Sequence, residues 1–264
     1  MCDPVPLPST PEDPVGSDVP PELAEAARAL FGDRLDLAVA YAEMLVTDGV
    51  ARGLIGPREA PRIWERHLLN CAVVSELVPL DAFLIDVGSG AGLPGVVLAL
   101  ARPDLSVTLI ESMARRAAFL AEVVEKLGLD RVTVVRGRAE DRTGPVRDVP
   151  PADVVTARAV ASLDRLAAWC LPLAAVGGRL LAIKGASAAD EVEAHRALIG
   201  RLGGADPVIR HCGVGLIDPP AVVVEIVKTR EVAPRSAASR RERATTPARA
   251  RAARRDVRRG RRSR

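Results

Sequence analysis

Asp86-Val87-Gly88-Ser89-Gly90-Ala91-Gly92-Leu93-Pro94-Gly95 is the stretch on which the reading of this chain turns. It follows an apolar run, Phe83-Leu84-Ile85, and precedes Val96-Val97-Leu98-Ala99-Leu100-Ala101, so a strand enters the glycines and a helix leaves them. Glycine spares the backbone a Cβ where it turns tightly, and the first N–H groups of the following helix stay free for a ligand at its positive end. Pro94, whose φ is already near the helical value, suits that first turn. The motif admits two cofactor classes. Gly90-x-Gly92-x-x-Gly95, with Glu111 about 20 residues on, also matches the dinucleotide fingerprint, so these residues alone do not choose between NAD and another nucleoside cofactor.

Outward from this turn, short apolar runs alternate with helical stretches, the pattern of βαβ units and a parallel sheet. Strands are predicted at Phe83 to Val87, Ser106 to Glu111, Val132 to Arg136, Asp153 to Ala157 and Arg179 to Ile183. The last of these is entered through a Gly177-Gly178 turn. Two extended runs, Pro207 to Gly213 and Val222 to Lys228, flank a turn at Asp218-Pro219-Pro220 and bring the strands to seven. Helices are predicted from Val96 to Ala101, Ala114 to Leu127, Ser162 to Leu173 and Ala189 to Arg201. Before the first strand the periodicity is helical: two amphipathic helices between Pro21 and Gly53, broken at Gly32, and a third from Pro57 to Val78. Ile63, His67, Cys71 and Val74 form the stripe of that third helix.

The 264 residues are 48% hydrophobic and 27% charged, which excludes a collagenous or wholly disordered chain. Residues 1 to 22 hold seven prolines and five acidic residues with no basic one, and are predicted to be disordered. Residues 23 to 229 are read as one domain, a helical layer over 23 to 79 and an α/β core over 82 to 229. Residues 230 to 264 carry 14 of the 34 arginines against three acidic residues. The net charge of +3 therefore divides into +11 on this tail, also predicted to be disordered, and −8 on the body. No apolar run approaches a membrane span and the N-terminus lacks a signal-peptide pattern, so a cytoplasmic protein is expected. Cys2, Cys71, Cys170 and Cys212 lie far apart without a C-x-x-C pair, so neither a disulfide framework nor a metal site is expected.

Asp86 two residues before the first glycine, Glu111 closing the second strand and the Gly-Gly turn before the fifth together resemble the class I S-adenosylmethionine-dependent methyltransferases. Six further stretches narrow the likeness: Arg66-His67-Leu68-Leu69-Asn70, Asp86 to Gly95, Arg102-Pro103-Asp104, Arg115 to Leu120, Thr156-Ala157-Arg158-Ala159 and Ala182-Ile183-Lys184-Gly185. In that order they resemble the RsmG (GidB) family, guanine N7-methyltransferases of small-subunit ribosomal RNA. The likeness covers residues 30 to 228 and departs at Val50 to Ile55, where many members carry a Trp-Asn…Asn-Leu-Thr signature. It implies a Rossmann-like, seven-stranded, mostly parallel sheet with helices on both faces and an N-terminal helical layer.

The resemblance also implies a cofactor, S-adenosyl-L-methionine, and a substrate, 16S ribosomal RNA or the small subunit, with guanine 527 as target. Asp86, Gly88, Gly90, Gly92 and Leu93 would form the cofactor loop. Glu111 would take the ribose hydroxyls, Ala139 and Glu140 would border the adenine, and Arg158 would sit at the pocket mouth. Arg138, Arg158 and Lys184 would form a basic cluster that positions RNA. Guanine N7 presents a lone pair in the neutral base, so no general base is expected and the rate comes from alignment. His67 fits helix packing as well as a pocket role, and Asp218-Pro219-Pro220-Ala221, which has no following aromatic, fits a turn. A monomer is expected, acting without metal or membrane. The competing readings are a small-molecule methyltransferase, which the acidic body suits, an NAD-dependent oxidoreductase, and an RNA-binding module working through the arginine tail.

Overall fold

The structure, a computed structural model, describes residues 17–141, 144–158 and 161–232. Seven strands form one sheet in the order β3-β2-β1-β4-β5-β7-β6. They are β1 (Phe83–Val87), β2 (Ser106–Glu111), β3 (Val132–Arg136), β4 (Ala152–Arg158), β5 (Ala174–Lys184), β6 (Val208–Cys212) and β7 (Ala221–Val227). The first five pair in parallel, and β7 runs antiparallel to both β5 and β6. The strands read as continuous apolar runs because both faces of the sheet are covered. Leu84, Val107, Leu109, Val154 and Leu181 enter one core cluster, whereas Ile85, Ile110, Val155, Leu180 and Ala182 enter a second on the opposite face.

Helices α6 (Leu163–Cys170) and α7 (Ala188–Arg201) cover the second face. The first is covered by α4 (Gly95–Ala101), α5 (Ala114–Lys126) and the N-terminal layer, α1 (Ala24–Phe31), α2 (Leu35–Met44) and α3 (Asn70–Ala72). The third predicted helix differs from a uniform one: a π turn over Trp64–Leu69 leads into α3 and tightens to a 3-10 turn over Val73–Leu77. The wide turn leaves Leu68 and Leu69 both fully buried and His67 at the rim of the layer. Residues 17–22, which the proline content placed in an unstructured segment, partly engage the layer: Trp64 Nε1 donates to the Ser17 carbonyl at 2.9 Å, and Pro21–Leu23 is a 3-10 turn. The arginine tail from residue 233 on lies outside the described residues.

The glycine pair at 177 and 178 lies within β5 and does not precede it. Ala152 pairs with Ala174, and the register then shifts so that Val154 faces Arg179. Gly177 has φ +90°, and a Cβ on Gly178 would come within 3 Å of the Ala152 and Asp153 carbonyls, so two glycines let β5 bulge and still continue.

Arg102-Pro103-Asp104, part of the family-like sequence, locks the N-terminal layer to the core. The Arg102 guanidinium meets both Asp104 oxygens at 2.7 and 2.6 Å, and it also donates to the Val78 and Pro79 carbonyls at the end of the layer. Arg102→Ala is expected to cost about 2–3 kcal/mol in urea unfolding, with lysine a poor substitute because it lacks the planar fork. The hydrogen bonds from Arg102 hold the Asp104 carboxyl at about 2, below its ordinary value. Its contribution is therefore complete above about pH 4 and fades as pH falls toward 2.

Candidate active site

Strand register gathers the predicted residues along one edge. Asp86 pairs with Thr156 and Val87 with Ile110, so Gly88, Glu111 and Arg158 leave β1, β2 and β4 at one level. Arg158 in turn pairs with Ile183, one residue short of Lys184. This is the carboxyl edge of the parallel strands, the usual place for a ligand in an open α/β sheet.

The glycine loop is held from three sides. Gly88, Gly90 and Gly92 have φ of +71°, +60° and +105°, backbone that L side chains rarely adopt. Below the loop, Asp86 is fully buried: Oδ2 accepts the Gly95 N–H at 3.1 Å and Oδ1 the Thr156 hydroxyl at 3.1 Å. Asp86, expected among the cofactor contacts, thus braces the loop and does not face outward. Burial pushes its carboxyl up to about 6. From the side, Glu111 accepts the Gly90 N–H at 3.0 Å and the Met113 N–H at 2.8 Å. From the N-terminal layer, the Tyr41 hydroxyl donates to the Ala91 carbonyl at 2.7 Å, and burial raises its pKa well above the ordinary value. Tyr41, the sole tyrosine of the chain, is fully buried on α2, so its hydroxyl serves the loop from inside the packing.

An open cleft lies beside the loop, lined by Gly88, Ser112, Arg138, Ala139, Glu140 and Trp169 among others. Ala139 and Glu140 thus line one cleft together with Gly88. Leu93 is half-buried against the main core and does not line this cleft. Trp169, with the Arg165 guanidinium 4.8 Å over its ring, is an aromatic wall the sequence reading did not assign. The only advance signal was its place on the helix after β4.

The three basic residues have separate partners and no shared cluster of free charge. Arg138 is 65% exposed with Glu140 Oε1 at 3.6 Å. Lys184 is only 10% exposed: its Nζ pairs with Glu191 Oε2 at 2.7 Å and donates to the Ala161 carbonyl. Arg158 reaches the N-terminal layer, donating to Cys71 Sγ at 3.0 Å, the Arg66 carbonyl at 3.1 Å and His67 Nδ1 at 2.8 Å. Cys71, Cys170 and Cys212 are free, buried thiols. Asp218-Pro219-Pro220 lies in the connection between β6 and β7, remote in sequence from the edge just described. Among the described residues no set of three or more His, Cys, Asp or Glu could hold a metal ion, and no helix is long and apolar enough to cross a membrane.

Sheet order, the reversed β7 and the glycine loop over a buried carboxylate define a class I methyltransferase fold of the Rossmann-like kind. The solved mitomycin 7-O-methyltransferase MmcR shares that fold with a TM-score of 0.51 at 21% identity, over 79% of this chain and 66% of that one. More narrowly, residues 34–215 match the family model described as GidB, rRNA small subunit methyltransferase G, and the chain belongs to that family. It is 66% identical to the ribosomal RNA small subunit methyltransferase G of Salinispora tropica, over 83% of this chain and 92% of that protein. With the protein of the same name from Rhodococcus jostii it shares 59% identity, over 75% of this chain and 87% of that one. The oxidoreductase reading of the glycine fingerprint falls with this membership, because Gly90-x-Gly92-x-x-Gly95 is here part of a methyltransferase loop.

Proposed function

We propose that this protein transfers the methyl group of S-adenosyl-L-methionine to N7 of a guanine in 16S ribosomal RNA, the one position 527 names by resemblance. The observation that carries the reading is family membership over residues 34–215, with the matching motifs brought to one edge of the sheet. The residues present fit the cofactor. Left-handed Gly88 lines the cleft and Gly90 beside it has room at its Cβ position, with Ala139 buried on one wall of the cleft and Trp169 on another. A carboxylate offers about four acceptor positions, so Glu111 retains capacity for a hydroxyl beside its loop contacts.

S-adenosylmethionine, when bound, supplies an electrophilic methyl on a sulfonium. The chain's residues bind and align. Asp86 and Tyr41 act through the loop; Gly88, Gly90, Gly92 and Glu111 present donors and acceptors to the nucleoside; Ala139 and Glu140 border its base; Arg158 stands at the mouth. Because N7 needs no proton removed, no side chain is assigned as a general base. Positive charge passes from the donor to the guanine, so a carboxylate near the base, such as exposed Glu140, is better placed there than an arginine. Arg138, exposed beside Glu140, is suited to a phosphate, and Lys184 joins it only by loosening its pair with Glu191.

The test supplies the purified protein with methyl-labelled S-adenosylmethionine and small ribosomal subunits, or their RNA, from cells lacking this enzyme. Nucleoside mass spectrometry is expected to find the label in 7-methylguanosine. Label in another nucleoside would refute the N7 assignment. Absence of label from RNA and particles alike, with the donor bound, would turn the reading toward small-molecule substrates.

A further inference from the structure

Between the edge and the N-terminal layer runs a chain of charged and polar groups that the loop chemistry above does not use. His67, 12% exposed, sits with Nδ1 2.8 Å from Arg158 Nη2 and Nε2 3.0 Å from Glu59 Oε2. A guanidinium has donors and no acceptor, so Nδ1 must present its lone pair and the ring proton resides on Nε2, donated to Glu59. The second Glu59 oxygen accepts from Arg66 at 2.9 Å. A doubly protonated ring would point an N–H at the Arg158 guanidinium, which would lose this acceptor and meet a like charge.

We propose that neutral His67 is a positioning residue for methyl transfer: its Nδ1 fixes the Arg158 guanidinium at the edge where cofactor and target base meet, and protonation of the ring withdraws that support. This rests on the reading that Arg158 stands at the cofactor mouth. The groups facing the ring are Arg158 from β4 and Glu59 and Arg66 from the N-terminal layer. Cys71, on the far side of Arg158, is kept in its thiol form by burial, with Asp86 beneath it. Burial, followed by the Arg158 charge, holds the His67 pKa below its ordinary value, against a smaller upward pull from Glu59. The neutral ring therefore persists at neutral pH, and the switch falls on the acid side of about pH 6.5.

Two substitutions separate the ring's two nitrogens. His67→Asn keeps an acceptor at the Nδ1 position, whereas His67→Gln keeps a donor toward Glu59 and loses the acceptor for Arg158. Binding of S-adenosylhomocysteine and kcat/KM for the methyl donor are followed from pH 5 to 8.5, with melting temperatures to verify folding. His67→Asn is expected to stay within about threefold of the unaltered protein at pH 7.5 and to lose the decline on the acid side. His67→Gln is expected to fall roughly tenfold or more at every pH. Glu59→Gln removes the charge that favours the protonated ring and should move the acid limb to lower pH, a readout that does not depend on either His67 variant folding. Equal behaviour of the Asn and Gln variants, sparing of Gln alone, or an unmoved acid limb in Glu59→Gln would overturn the proposal. Arg158→Gln tests the underlying reading separately: unchanged binding there would remove Arg158 from the mouth, whereas weakened binding with an indifferent His67 would refute only the positioning role.

Discussion

Gly95→Ala is expected to abolish stabilisation of the protein by S-adenosylhomocysteine and to lower its stability by about 2–3 kcal/mol. A Cβ at residue 95 would lie 2.8 Å from both Cβ and Oδ2 of Asp86 and would collide with Leu109 Cδ2. Neither neighbour can yield cheaply. Asp86 is inside β1 with its carboxylate bonded on both sides, and Leu109 is fully buried in β2. Inserting a methyl into such packing costs about 1–3 kcal/mol, and here the methyl also pushes the Gly95 N–H off its acceptor, Asp86 Oδ2. Gly128→Ala is the control. That residue, unlike helical Gly95, has a left-handed φ of +60°; its Cβ would meet nothing, and it lies in the turn after α5. It should cost only about 1 kcal/mol and leave ligand stabilisation intact. Thermal melts with and without S-adenosylhomocysteine measure both, since a ligand bound only by the native state raises the melting temperature by mass action. A Gly95→Ala protein that still responds to the ligand would show that the loop tolerates displacement from Asp86.

Such a clash could not be read from the sequence, although the loop could. The glycine turn, the strand that enters it and the helix that leaves it were all legible because their signals are local: an apolar run, φ-permissive residues and helical periodicity. β1, β2 and β3 begin and end where the apolar runs do. What was not legible depends on side chains meeting across long separations. Tyr41 reaches Ala91 over 50 positions and Arg158 reaches His67 over 91, and no period in the chain predicts either. Lys184 shows the opposite error. Its position at the end of a parallel strand suggested a residue on the crevice edge, but Glu191 on the first turn of α7 takes its charge. A carboxylate seven residues away was visible in the sequence, yet only the β5-to-α7 turn brings it back to the strand end. Arg102-Pro103-Asp104 differs again: a string specific to the family turns out to be a clamp between layers, so family likeness alone did not mark it as a site or as scaffold.

Asp86→Asn and Asp86→Ala should separate the two things this carboxylate does. Asparagine retains an oxygen for the Gly95 N–H, and its amide can face Thr156, whose hydroxyl is also within 3.5 Å of the Ile85 carbonyl and can turn to donate there. Alanine leaves the buried Gly95 N–H without an acceptor, which costs about 1–3 kcal/mol before any cavity is counted. It is therefore expected to weaken ligand stabilisation where asparagine largely preserves it. The pH dependence distinguishes asparagine from aspartate. Burial raises the folded-state pKa of Asp86 to about 6, above the ordinary value of about 3.9 in the unfolded chain. Between those values the folded protein holds a proton that the unfolded chain has released, so stability falls as pH rises through this window. The penalty reaches on the order of 3 kcal/mol at pH 7, since each pKa unit is about 1.4 kcal/mol. Asparagine never ionises. Relative to the unaltered protein, Asp86→Asn should therefore gain on the order of 2 kcal/mol between pH 4.5 and pH 7 in urea unfolding, with most of the gain below about pH 6.5. A stability difference independent of pH would mean that the carboxylate is ionised at no cost, held by the Gly95 N–H and the Thr156 hydroxyl. The negative charge under the glycine loop would then be a permanent part of the cofactor site.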